Sequence, residues 1–251
     1  MQGVTRGISP FFLILVGVTA AGAALAAVGA GPVLVAGVVL LVLGGWAVSL
    51  CLHEFAHALV AHRSGDTAIR ARGYLTLDIR RYTNVGLTFV LPTLFLLLGG
   101  IPLPGGAVWI DHGAIRSRAA RSLVSFAGPA VNLALGVALA LVVTAVPMPV
   151  GLAAALACLG LIQLLAFVLN ILPVPGLDGF GVLEPYLSPG AQQLAARVRV
   201  WAPLVLLVVL LGVPGAGSVL FGIGGALFGL VGGDGRLAAA GFDALLFWQR
   251  W

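Results

Sequence analysis

The sequence predicts an all-α polytopic membrane protein, and three observations carry that expectation. Of 251 residues, 61% are hydrophobic and only 8% are charged, where a soluble domain carries roughly 25% charged residues. The apolar residues fall in runs long enough to cross a bilayer. The 13 basic residues are all arginine and cluster in the polar connections between those runs, as loops held on the cytoplasmic side do. In a soluble protein the formal net charge of +5 would suggest nucleic acid. Here it is a topological signal, so the expected partner surface is the lipid bilayer and not nucleic acid.

Taken in order, the first apolar run covers residues 11–30 and is broken by Gly31-Pro32. It is longer than the apolar core of a signal peptide and reads as a retained span. The second covers residues 33–60, about 42 Å as a helix against a hydrocarbon core of about 30 Å, so it must tilt or protrude. A polar stretch over residues 62–84 holds five arginines. Within it Tyr74-Leu75-Thr76-Leu77-Asp78-Ile79 alternates polar and apolar side chains, which predicts a short surface strand or hairpin. Residues 85–101 are apolar again but interrupted by Pro92. Spans follow at residues 122–146 and 151–172, the first ended by Pro147 and Pro149. Ser188-Pro189 reads as a helix start, with serine at the cap and proline at the first helical position. Residues 203–213 and 218–231, joined by Pro214-Gly215-Ala216-Gly217, read as a final hairpin of spans. No internal repeat and no soluble domain are visible; the whole chain, residues 1–251, reads as one integral membrane domain.

Charge parity sets the expected topology. With the N-terminus inside and six crossings, every arginine falls on the cytoplasmic side, and so do both termini. If residues 85–101 also crossed, Arg116, Arg118 and Arg121 would move outside. That segment is therefore expected to be re-entrant or interfacial, which is tolerated where protein or a water-filled cavity covers the backbone.

Chemistry concentrates at His53-Glu54-Phe55-Ala56-His57. On a helix this spacing puts two imidazoles on one face with a carboxylate beside them, the usual presentation of two zinc ligands and a general base. No charge precedes Glu54 in its apolar run, so the pattern points to zinc-dependent hydrolysis inside a membrane. Asp178 lies just past the inner end of the fourth span, and the parity topology brings it to the same membrane level. Two histidines and one carboxylate leave an open position for water, whose proton Glu54 would accept during attack on a carbonyl. Ionisable residues at membrane depth are expensive and functional by default.

Three motifs then carry a family resemblance. His53-Glu54-Phe55-Ala56-His57, Gly128-Pro129-Ala130-Val131-Asn132 and Asn170-Ile171-Leu172-Pro173-Val174-Pro175-Gly176-Leu177-Asp178-Gly179 occur in this order. Together they closely resemble the site-2 protease family of intramembrane zinc metalloproteases, with its G-P-x-x-N and N-x-x-P-x-P-x-L-D-G signatures. The resemblance covers residues 33–179. It implies a catalytic core of three spans, a zinc site near the cytoplasmic face and cleavage of transmembrane segments of membrane-protein substrates. It assigns His53, His57 and Asp178 as zinc ligands and Glu54 as catalytic base. PDZ and nucleotide-binding domains occur in parts of the family; this chain has no room for them and looks like the compact prokaryotic type.

Asn132 and Asn170 are polar residues at membrane depth. They could bind substrate backbone or stabilise an oxyanion, or make interhelical hydrogen bonds; next to two prolines, Asn170 is read mainly as structural. His62 and His112 sit beside arginines and read as solvated. Asp66, Asp78 and Asp111 read as loop or turn residues. Cys51 and Cys158 read as small packing residues, and Trp248 and Trp251 as interfacial anchors. Rival readings are a transporter or channel with a histidine metal or proton site, which would need polar residues in several spans, and an inactive scaffold, which would not need all of His53, Glu54, His57 and Asp178. Substrate identity and oligomeric state are not legible in the sequence.

Overall fold

A computed structural model describes residues 8–81 and 109–250. The segment expected to be re-entrant, residues 85–101, and Trp251 lie outside the described residues.

Helix α1 spans Pro10–Val28, with Ser9 Oγ accepting from Phe11 N at 3.2 Å and proline at the first helical position. It pairs with α2, Pro32–Ser64, across the break at Gly29–Gly31. A side chain at Gly22 or Gly37 would strike the facing backbone at Leu41 or Ala26, so small residues are what lets these helices touch. At 33 residues α2 is about 50 Å long, four residues longer at its C-terminal end than the sequence suggests. Asp66, 1% exposed, ties the following segment together: its carboxylate accepts from Ala68 N at 3.0 Å and Asp111 N at 2.8 Å.

A short helix α3, Ala68–Ala71, follows. The strand or hairpin expected over residues 74–79 does not form. The segment folds as two 3₁₀ turns, Tyr74–Thr76 and Ile79–Arg81. Leu77, at φ 58°, lies between them and is the one non-glycine residue with positive φ among the described residues. The alternation is real, since Tyr74, Thr76 and Asp78 are buried, but local side-chain bonds consume the backbone groups a partner strand would have used. Thr76 Oγ1 donates to Gly73 O at 2.7 Å, and Asp78 Oδ1 accepts from Arg80 N at 3.1 Å. The Arg80 guanidinium bonded to Asp78 holds that carboxyl below its ordinary value. Ser9 N donates to Thr76 O at 2.9 Å, so this segment sits at the end of the bundle where α1 begins.

The rest is helical: α4 Arg118–Ala145, α5 Val150–Asn170, α6 Asp178–Leu183, α7 Pro189–Val198, α8 Ala202–Gly212, α9 Ala216–Leu230 and α10 Gly235–Leu245. Ser188 caps α7 with Pro189 at its first position, as expected. Helices α2, α4 and α5 pack against one another and form the core. Four helices (α1, α2, α4, α5) are long and apolar enough to cross a membrane. Helices α7 and α8, bent by 60°, make a fifth only if counted together. At 11 and 15 residues, α8 and α9 are about 16 and 22 Å long, shorter than a hydrocarbon core of about 30 Å. The expected six crossings are therefore not reached by length among the described residues.

One arginine departs from the charge map. Thr144 Oγ1, at the far end of α4, donates to Gly232 O at 2.7 Å. Arg236 follows in the first turn of α10, its N–H bonded to Asp234 Oδ1. It lies at the opposite end of the bundle from Arg118, which starts α4, about 40 Å away along that helix. Helix α10 then packs back onto α5, where a side chain at Gly241 would strike Ala154 and Cys158.

Both positions are exposed, so they can be tested directly. A membrane-impermeant thiol reagent is expected to label Arg118→Cys and Arg236→Cys from opposite faces of the bilayer; labelling from one face would contradict this arrangement.

Candidate metal centre

The centre is built by the antiparallel register of two helices. Four residues apart on α2, His53 and His57 present their rings on one face, with centroids 4.7 Å apart. On α4, Val124, Gly128 and Asn132 share the facing stripe at the same four-residue period. His53 Nδ1 donates to Asn132 Oδ1 at 2.6 Å, and His57 Nδ1 donates to Val124 O at 2.7 Å. Gly128 lies between these anchors. A Cβ there would fall on Nε2 of both histidines. Pro129 removes a backbone donor from the same turn of α4, loosening the helix beside the carbonyl that holds His57.

Asp178 arrives from a different part of the chain. Helix α5 ends at Asn170, and the two prolines prevent it from continuing. After an irregular passage the chain restarts as α6 with Asp178 as its first residue. Gly179 allows this approach, since a Cβ would strike Ile171 and Leu172 carbonyl groups. Asp178 Oδ2 lies 3.2 Å from His53 Nε2 and 3.4 Å from His57 Nε2, and the two Nε2 atoms are 3.0 Å apart.

This donor set fits a tetrahedral metal ion. Ligand atoms about 2.0–2.1 Å from zinc lie roughly 3.3 Å from one another, close to the three observed separations. Both Nδ1 atoms are used as donors to Asn132 and Val124, so both Nε2 atoms offer lone pairs to the same point. Two lone pairs 3.0 Å apart beside a carboxylate call for a cation between them. Among the described residues, His53, His57 and Asp178 form the one group of this kind whose ligand atoms lie within 4.8 Å of each other. Glu54 is 2% exposed, one residue from His53 and outside the ligand group. His62, His112, Cys51 and Cys158 are also outside it. Both cysteines are fully buried packing residues, as expected.

Behind His53 runs a buried polar chain of which the sequence signalled only Asn132. Asn132 Nδ2 donates to Gln163 Oε1 at 2.8 Å, Gln163 Nε2 donates to Ser49 Oγ at 2.9 Å, and Ser49 Oγ donates to Trp46 O at 2.8 Å. The Asn132 amide thus spends both ends on an interhelical network that orients a histidine. Gln163 is wholly buried in the middle of α5, and a glutamine at that depth was the available clue. Asn170 is also buried, and its Oδ1 has no hydrogen-bond partner among the described residues.

Comparison with known proteins agrees with this geometry. Residues 38–150 match the model of peptidase family M50, a stretch that includes His53, Glu54, His57, Gly128 and Asn132 and stops before Asp178. The chain is 48% identical over 248 residues to Rip2 of Mycobacterium tuberculosis, a protein named as a zinc metalloprotease, covering 97% of this chain and 95% of the relative. Rip2 of Mycolicibacterium smegmatis is 44% identical over the same shares. YwhC of Bacillus subtilis, also named as a zinc metalloprotease, is 31% identical over 64% of this chain and 76% of its own length. No solved structure matches the chain significantly.

Two substitutions test the architecture. Gly128→Ala favours a helix by propensity but puts a methyl group where the donors converge; metal analysis of the purified protein is expected to show loss of bound zinc, and wild-type stoichiometry would refute the assignment. Gln163→Leu keeps the volume and removes the support of Asn132. Zinc affinity, measured by competition with a chelator, is expected to fall about 10–100-fold, as for other groups that hold a metal-binding histidine.

Proposed function

The chain belongs to peptidase family M50, and from that premise we propose that His53, His57 and Asp178 hold the zinc ion and that Glu54 is the catalytic base. The protein is an intramembrane zinc metalloprotease. The observation that carries the site assignment is the convergence of three donors at 3.0–3.4 Å, two from α2 and one from the distant start of α6, with the Glu54 carboxylate one residue from the first.

When bound, zinc supplies Lewis acidity toward a carbonyl oxygen and a water molecule. The residues of this chain do the rest. Asn132 and Val124 keep the two imidazoles in the tautomer that presents Nε2. The Asp178 carboxylate completes the donor set and leaves one position open. Buried beside the two histidines, Glu54 accepts a proton from the water that attacks the scissile peptide carbonyl, then returns it to the leaving amine. His53, Glu54 and His57 are buried, which strengthens the electrostatic interactions among them. Asn170, with a buried and unused carbonyl oxygen, is a candidate acceptor for a substrate backbone N–H.

The proposed substrates are transmembrane segments of membrane proteins, cut after local unwinding of their helix, because a peptide bond in a regular helix is hidden by its own hydrogen bonding. By the positive-inside rule the end of the bundle that carries Arg63–Arg81 and Arg116–Arg121 faces the cytoplasm, with the metal site on that side of the membrane. The start of α1 shares this end, while α10 enters from the opposite face.

The roles of base and ligand separate in one experiment. Glu54→Gln is expected to retain zinc and lose cleavage of a model transmembrane substrate by at least about 100-fold, whereas Asp178→Asn is expected to lose zinc affinity and activity together. Wild-type turnover in Glu54→Gln, or full zinc occupancy and activity in Asp178→Asn, would sink the assignment.

A further inference from the structure

A concavity opens about one helical turn along α4 and α6 from the metal centre. Arg121 precedes Val124 by three residues on α4, and Gly181 follows Asp178 by three on α6, about 4.5 Å of helical rise in each case. Between them lies a cavity of about 420 Å³, lined also by His112, Glu184, Gln192 and Arg199. Its walls are locked together. Ser122 Oγ donates to Val182 O at 2.7 Å, and a Cβ at Gly181 would meet Ser125 Oγ. The cavity is therefore framed by packed helices, about one turn from the metal site toward the arginine-bearing end of the bundle.

Its polar groups are unevenly matched. Arg199 is paired with Glu184. Gln192 Nε2 donates to Glu184 O at 2.9 Å and to Leu187 O at 3.2 Å. Partial desolvation, with Arg121 and Arg199 nearby, holds the His112 imidazole below its ordinary value. Arg121 is left over: its Nε is buried without a hydrogen-bond partner, and it has no ion pair among the described residues. The lining thus carries one uncompensated guanidinium, and a partly buried guanidinium is best satisfied by a planar anion.

Resting on the assignment of the metal site above, we propose that this cavity is a substrate subsite in which Arg121 binds a carboxylate side chain on the arginine-bearing side of the scissile bond. An extended peptide advances about 3.3 Å per residue, so an offset of one helical turn puts the acidic residue one or two positions from the bond that is cut. Transmembrane segments usually carry lysine or arginine at this boundary. Such flanks are repelled by Arg121, so the subsite selects substrates with an acidic boundary residue.

The test uses the full chain, zinc-loaded, in phosphatidylcholine vesicles. A single-span substrate with a mapped cleavage site carries Glu, Gln or Lys at each of the three positions on that side. At one position kcat/KM is expected to fall from Glu to Gln to Lys, by about tenfold between the extremes, as charge-assisted hydrogen bonding implies. Arg121→Gln should flatten this order and Arg121→Glu should invert it, with zinc per chain unchanged; a purely structural role for Arg121 does not produce inversion. If the wild type cleaves all variants equally, or if its Glu preference survives in both Arg121 variants, the subsite is refuted and the protease assignment stands. If the zinc-loaded wild type cleaves none of them, both fall. A Glu preference that disappears when phosphatidylglycerol is added assigns Arg121 to lipid phosphate, and that too overturns the proposal. The wild-type substrate series decides the matter by itself should either variant fail to fold.

Discussion

The structure depends on the register of α2 against α4. The two helices run antiparallel, so the four-residue step from His53 to His57 is met by the reverse steps from Asn132 to Gly128 to Val124. Each outer position fixes one imidazole through Nδ1, and the middle position has no side chain. A slide of one residue would turn the α4 stripe by about 100°, breaking both hydrogen bonds and pushing a side chain into the space between the rings. This one register accounts for both the G-P-x-x-N signature and the histidine spacing.

The polar cost of that arrangement is contained by the core. His53, Asn132, Gln163 and Ser49 form an unbroken chain across α2, α4 and α5, ending on a backbone carbonyl. In a low-dielectric interior a partly satisfied network is expensive, while a complete one specifies a single arrangement. The same chain that orients His53 therefore helps to set how the three core helices pack. Apolar contacts around Leu41, Cys158 and Ile162 supply burial but little direction, so orientation is left to the polar chain and to the small residues that set helix distance.

Function draws its last component from an interruption. The donor set would stay incomplete if α5 continued as a helix past Asn170. Pro173 and Pro175 stop it, Gly176 turns at φ 100°, and Gly179 passes close to the chain it has just left. Asp178 thereby returns to the face of α2. The same return brings α6 alongside α4 and shapes the cavity that holds Arg121, so the metal site and its neighbouring subsite share one structural cause.

The sequence by itself determined the membrane class, the long apolar helices to within a few residues, and the presence of a paired-histidine site with a nearby carboxylate, because each is written in local periodicity, hydropathy or short spacing. Charge parity brought Asp178 to the same membrane level, and the motif resemblance assigned it as a ligand. Tertiary structure alone decided the rest. The 74–79 segment alternates like a strand, yet Leu77 and the Thr76 and Asp78 side chains close it into turns, and alternation does not distinguish the two. Charge parity put Arg236 with the other arginines; the depth that α9 and α10 reach depends on how they pack, as the bond from Thr144 to Gly232 shows. Asn132 was a polar residue with two possible uses until Gln163, in a helix thirty-one residues away, took its amide. Hydrogen-bond partners that meet across separate helices leave no trace in the order of residues, since only packing brings them within reach.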